Sequence, residues 1–131
     1  MTREQKIWGS AWHLFHSEQA AVSLLEMKQG YCCSRHYHKD RTNLFALLSG
    51  CVLIQRWVDD KLQEVKLLPG EIDIIPSGVL HRFVVCKSGE MIEVYWPDHG
   101  GLVMLDDIVR LDVGRKLEAG DIERESVGGM E

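Results

Sequence analysis

An all-β domain of jelly-roll type, a sandwich or a barrel, is what this sequence predicts. The first observation is a hydrophobic period of two across short runs rich in β-branched and aromatic residues. The second is punctuation: "KQG", "SG", "DDK", "PG", "PSG", "KSGE" and "PDHGG" separate those runs. Short strands with turns about every eight to twelve residues are the pattern of sandwiches and barrels. The sequence shows no internal repeat and no low-complexity tract.

Taken in order, "AAVSLLEM" (Ala20 to Met27) reads as the first such strand. The stretch Leu44 to Val58 reads as two, "LFALLSG" and "CVLIQRWV", broken at the Ser-Gly turn. "QEVKLL" (Gln63 to Leu68), "EIDIIP" (Glu71 to Pro76), "HRFVVC" (His81 to Cys86) and "MIEVYWP" (Met91 to Pro97) follow. Beyond them, Asp106 and Asp107 ahead of Ile108, Val109 and Leu111 open either a short helix or one more strand. A short C-terminal helical or irregular segment is therefore expected. From about Glu118 the chain is charged, poor in large apolar residues and ends close to a Gly-Gly pair, which predicts a mobile tail over 118–131. The expected organisation is one domain over 1–117, with its barrel core at about 20–97.

A chain of 131 residues suits one domain, and 45% hydrophobic with 27% charged residues is ordinary for a globular protein. The net charge is −5 and the 15 basic residues are scattered, which argues against a grip on nucleic acid. The charged start "MTREQKIWGSAW" does not read as a signal peptide, and no apolar run is long enough to span a bilayer. A soluble, cytoplasmic protein without a membrane partner is expected. Cys32, Cys33, Cys51 and Cys86 form no C-x-x-C pair, so they read as small buried apolar side chains, with Cys32 or Cys33 able to face a cavity.

The chemistry concentrates in "GYCCSRHYHKDRTNLFALLSG", Gly30 to Gly50. His36 and His38 are two residues apart, so on a strand both imidazoles face one way. Asn43 begins a run that shares a face with Phe45, Leu47 and Ser49. In "GEIDIIPSGVLHRF", His81 opens a strand after a Pro-Ser-Gly turn and is placed to reach the same point. Three imidazoles with open positions make a reactive site for one divalent ion, and zinc, nickel, manganese and iron all remain open.

The first segment reads G-x5-H-x-H-x4-N-x6-G and the second G-x5-P-x-G-x2-H, through Gly70, Pro76, Gly78 and His81. They resemble the two cupin motifs, and the resemblance implies a small double-stranded β-helix barrel with a metal in its mouth. A narrower resemblance runs through "IWGSAWHLF", "LLPGEIDIIPSGVLHR", "MIEVYWP" and "DDIVRLDVGR". These are similar to the mannose-6-phosphate isomerase (type II) cupin domain, the C-terminal part of bifunctional guanylyltransferase/isomerases. In that pattern His36 stands at a position usually glutamine, His38 and His81 at histidines, and Asn43, a weaker ligand, at a glutamate. Arg41, Arg82 and the segment Asp106 to Arg110 also match. Val85 departs from the asparagine that ends the general motif. With Asn43 neutral, a bound ion would keep its full charge and attract anionic ligands.

The resemblance implies aldose–ketose isomerisation of a sugar phosphate, a metal stabilising the enediolate. The proton then needs a base, for which Glu93 is the candidate, with Tyr95 on the same strand face. A solvent-side carboxylate is the alternative for Glu93. Arg41, Arg82, Arg110 and Arg115 are candidate hands for phosphate or carboxylate, Arg41 first. Strand alternation points Arg82 away from His81, and Arg110 could instead pair with a neighbouring aspartate. Phe45 and Trp57 read as core. Two other functions stay open: a non-catalytic cupin binding a sugar or small anion, and a three-histidine iron dioxygenase. A homodimer through sheet edges is expected, and Trp8 and Trp12 fit either a dimer arm or the core.

Overall fold

The computed structural model describes residues 2–99 and 101–117. The tail expected over 118–131 lies outside the described residues. The strands are β1 (Thr2–Lys6), β2 (Gly9–His16), β3 (Ala21–Met27), β4 (Tyr31–Cys32), β5 (His36–Tyr37), β6 (Arg41–Leu47) and β7 (Cys51–Val58). They continue as β8 (Lys61–Leu67), β9 (Ile72–Ile75), β10 (Leu80–Lys87), β11 (Gly89–Pro97), β12 (Val109–Arg110) and β13 (Arg115–Lys116). No helix occurs among the described residues, so none there is long and apolar enough to cross a membrane.

Two antiparallel sheets carry the architecture. One has the order β1-β2-β3-β11-β6-β9. In the other, β10 is flanked on one side by β7, with β8 beyond it, and on the other by the short strands β4 and β5. The core forms between them because inward positions alternate along each strand. Leu25, Met27, Phe45, Leu47 and Met91 from the first sheet meet Val52, Ile54, Leu67, Phe83 and Val85 from the second. The β7–β8 hairpin turns on Asp59 and Asp60, both at positive φ, as a two-residue turn matched to strand twist requires.

The predicted strands are present, and the structure adds others. The hairpin β1–β2 is not foreseen by the sequence pattern, because "TREQK" carries no apolar alternation: β1 is an edge strand, and four of its five residues are exposed. Such a strand is specified by its partner rather than by its own pattern. Trp8, in the turn between them, belongs to the core and packs edge-on to Phe83 with ring centroids 5.0 Å apart. Trp12 sits half-buried between Arg3 and Glu26. Trp57 is likewise not core: it is half-buried, with the guanidinium carbons of Arg35 and Arg82 at 5.6 and 5.8 Å from its ring centre. The C-terminal segment is irregular, with β12 and β13 laid against β5 and β4.

Gly9 locks the hairpin onto the sheet. It lies opposite Met27 at φ +146°, and a Cβ there would come within 1.8 Å of the Glu26 carbonyl oxygen. Backbone cannot yield as a flexible side chain does, so Gly9→Ala should cost about 3 kcal/mol or more. A urea-unfolding midpoint close to that of the wild type would contradict this packing.

Candidate metal centre

His36 opens β5, and His81 on β10 is its direct partner across the ladder. His38 follows where the chain leaves β5 and bends at residues 39–40 before β6. The three rings converge, with centroids 5.0 Å apart for His36–His38, 4.5 Å for His36–His81 and 5.4 Å for His38–His81. Their ligand nitrogens lie within 4.8 Å of one another, and the group is able to hold a metal ion.

Each ring is oriented by backbone. The Nδ1 of His36 meets the Ser34 carbonyl at 2.8 Å, that of His38 the Asp107 carbonyl at 2.6 Å, and that of His81 the Val79 carbonyl at 2.8 Å. A carbonyl only accepts, so each Nδ1 carries the proton and each Nε2 keeps its lone pair. That second shell is what metal-bound histidines use. His81 is 1% exposed, and its Nε2 is buried with no hydrogen-bond partner. An orphaned lone pair at the centre of such a cluster fits a cation.

Burial also keeps the triad neutral. Desolvation, reinforced by neighbouring histidines and Arg41, pushes His36 down to about 2. The same burial, with Arg41 next, takes His38 to about 3. His81 falls to about 4, mainly by desolvation, against a raising hydrogen bond to Val79. Unfolded histidines titrate near 6.5. Below that pH the unfolded chain binds more protons than the folded one, so stability is lost as pH falls toward about 4. Chelator-treated protein should lose up to about 1.4 kcal/mol per pH unit for each of these histidines, read from urea midpoints at pH 7 and 5. A flat profile would mean the rings are not held neutral.

Around the triad, Asn43 is fully buried, and its amide nitrogen donates to Glu93 Oε2 at 2.8 Å. The same nitrogen lies 3.3 Å from His38 Nε2, while the amide oxygen has no partner. Asn43 thus presents nitrogen, not oxygen, to His38, and it bridges the triad to Glu93. Three imidazoles are the ligand set this geometry offers. Glu93 lies on β11 between β3 and β6, so it is no sheet-edge carboxylate; it lines a cavity of about 400 Å³ that His36 also faces. Burial raises its carboxyl above the ordinary value, opposed by Arg41, Lys6 and the Asn43 hydrogen bond. Tyr95 lines the same cavity, and the guanidinium carbon of Arg41 stands 4.0 Å from its ring centre.

The arginines divide. Arg41 is 8% exposed and lines the cavity, reaching the Met104 carbonyl at 3.4 Å and His38 Nε2 at 3.5 Å. Arg110, exposed, pairs with His36 across β12–β5 and stands on the cavity rim. Arg82, named above as an anion hand, is not brought to the cavity. Alternation sends its side chain to the other sheet face, where it donates to Gln55 at 2.7 Å. Arg115 is likewise absent from the cavity lining.

The hairpin supplies what sequence reasoning missed: Glu4, Lys6 and His13 line the cavity, with Lys6 paired to Glu4 at 2.9 Å. Asp107 is visible in the sequence only as part of a matching segment. Its carboxylate accepts from the backbone nitrogens of Lys39 and Asp40 at 2.8 and 2.9 Å, which fixes the loop that carries His38. Cys33 also faces the cavity, while its sulfur accepts from the Phe83 backbone at 3.2 Å and burial pushes its thiol up to about 12.

Comparison with solved structures identifies the fold. Bacillus subtilis oxalate decarboxylase superposes at a TM-score of 0.71 with 16% identity, over 84% of this chain and 30% of that one. CapF, bound to the inhibitor 3-isopropenyl-tropolone, superposes at 0.70 with 22% identity, over 86% and 34%. Both are cupin-fold proteins. The fold here is a cupin fold. The chain spans about a third of the length of either neighbour, and at these identities the likeness carries the fold alone. No family model and no curated protein matches the chain. Within the cupin barrel the triad sits on β5, its following bend and β10, with the cavity closed on one side by the β1–β2 hairpin.

Proposed function

We propose that this cupin is a metal-dependent isomerase of a small oxo anion, the sugar-phosphate aldose–ketose interconversion being its first form to test. The observation that carries the reading is the triad: three Nδ1 groups committed to carbonyls and a buried, unpartnered Nε2 on His81. His36, His38 and His81 would hold the ion, which when bound supplies Lewis-acid polarisation of a carbonyl oxygen. The chain's own residues do the rest. Arg41, buried and without a carboxylate partner among the described residues, fixes the ligand's anionic group. Glu93 takes the proton from the hydroxyl-bearing carbon beside the carbonyl and returns it to the former carbonyl carbon, while the hydroxyl proton passes to the former carbonyl oxygen. Asn43 orients the carboxylate for that transfer through its 2.8 Å hydrogen bond.

The test is solvent-deuterium exchange into mannose 6-phosphate, fructose 6-phosphate and simple 2-oxo acids, with protein stripped and reloaded with each divalent metal. Exchange at the carbon next to the carbonyl, dependent on metal, is the expected result. Exchange with none of them sinks the isomerase. The all-imidazole set favours one second reading, an iron dioxygenase, which oxygen uptake by iron-loaded protein would reveal.

A further inference from the structure

Aliphatic and charged side chains share the lining of the cavity. Ile7, Leu105 and Val113 line it while remaining 57%, 49% and 74% exposed, and Ile108 completes the collar. Single exposed apolar side chains are ordinary, but several converging on one opening mark a binding surface. The charged groups of the lining are spoken for with one exception. Lys6 is paired with Glu4 at 2.9 Å, Glu93 accepts from Asn43, and Arg110 stands out on the rim. Of the cations lining the cavity, Arg41 is the buried one, with no carboxylate at ion-pair distance among the described residues and no hydrogen-bond partner there for its Nε. The guanidinium carbon lies 4.0 Å from the Tyr95 ring centre, and a planar guanidinium is matched in shape and charge by a carboxylate.

We infer that the ligand of this cavity is a monocarboxylate with an apolar body. It is an oxo or hydroxy acid whose carboxylate meets Arg41 and whose branched or aromatic group lies against Ile7, Leu105, Ile108 and Val113. The inference rests on the isomerase reading only for the oxygen beside the triad, and it narrows the ligand away from phosphorylated sugars.

Titration calorimetry on chelator-treated protein tests it, with pyruvate, 4-methyl-2-oxopentanoate, phenylpyruvate and mannose 6-phosphate as probes. The two bulky acids should bind at least about tenfold tighter than pyruvate, since each buried methylene is worth a factor of that order. Arg41→Met should weaken all three acids by tenfold or more. The exposed double substitution Leu105→Ser with Val113→Ser, folded by its thermal melt, should erase the preference and leave pyruvate unchanged. Equal affinities for the three acids, tighter binding of the phosphate, or binding of none overturns the proposal. So does a collar variant that changes only the sedimentation coefficient, which makes the collar a contact between copies. Because no metal is present, failure here leaves the metal centre standing, and failure to find metal leaves this inference standing.

Discussion

Protein purified without chelator should carry about one divalent ion per chain, and His81→Ala should carry almost none. His81 contributes the nitrogen with no other partner, from the ring whose Nδ1 is already spent on Val79. Alanine removes a ligand and leaves two imidazoles, too few for a closed protein site. The loss should exceed the roughly 10–100-fold that removal of an outer-shell partner costs. Asp107→Ala supplies that smaller step, because it frees the backbone at Lys39 and Asp40 but keeps the carbonyl that orients His38. His99→Ala, an exposed histidine paired with Asp40, should leave metal content unchanged. The order wild type equal to His99→Ala, then Asp107→Ala, then His81→Ala, is the signature of this geometry. Unfolding is excluded as the cause if reloaded wild type and His81→Ala share a circular dichroism spectrum. Metal retained by His81→Ala would place the ion elsewhere.

How far these features are legible depends on how local they are. The strands of the two large sheets can be read because each buries one face, and burial writes a period of two into the sequence. Asn43, Phe45 and Leu47 show it: of the four residues predicted to share a face these are buried, while Ser49, past the end of β6, is exposed. His36, His38 and His81 are legible because a repeated spacing around glycines carries them. The hairpin is not, since β1 contributes charged residues to an exposed edge and gains its conformation from pairing with β2. Lys6 and Glu4 therefore look like surface. Trp57 reads as core because it is large and aromatic, yet its ring is a platform for Arg35 and Arg82 on the outer face. The place of Asn43 in a motif makes it an oxygen ligand. Only the position of Glu93 across β11–β6 shows that the amide nitrogen is engaged and points the same way as His38.

Glu93→Gln should lower the proposed isomerisation by about 10²–10⁴-fold in kcat, while metal content and ligand affinity stay near those of the wild type. The substitution keeps the shape and removes the base. Asn43 can still donate to the carbonyl oxygen of the new side-chain amide, so the bridge to His38 is preserved and the triad need not move. The pH profile separates a base from a merely structural carboxylate. Burial raises the Glu93 carboxyl above its ordinary value, and only the ionised form accepts a proton. Activity should therefore rise with pH through an acid limb lying above the usual carboxylate range, and Glu93→Asp should retain a shifted version of that limb. Tyr95 shares the cavity and Arg41 stacks on it, so Tyr95→Phe tests whether its hydroxyl takes part; the ring alone is enough to hold Arg41. If Glu93→Gln turned over normally, the proton would have to be moved by another group, and the cavity's carboxylate would be reduced to holding Asn43. If it lost metal as well as activity, Glu93 would be acting through the triad and not on the ligand.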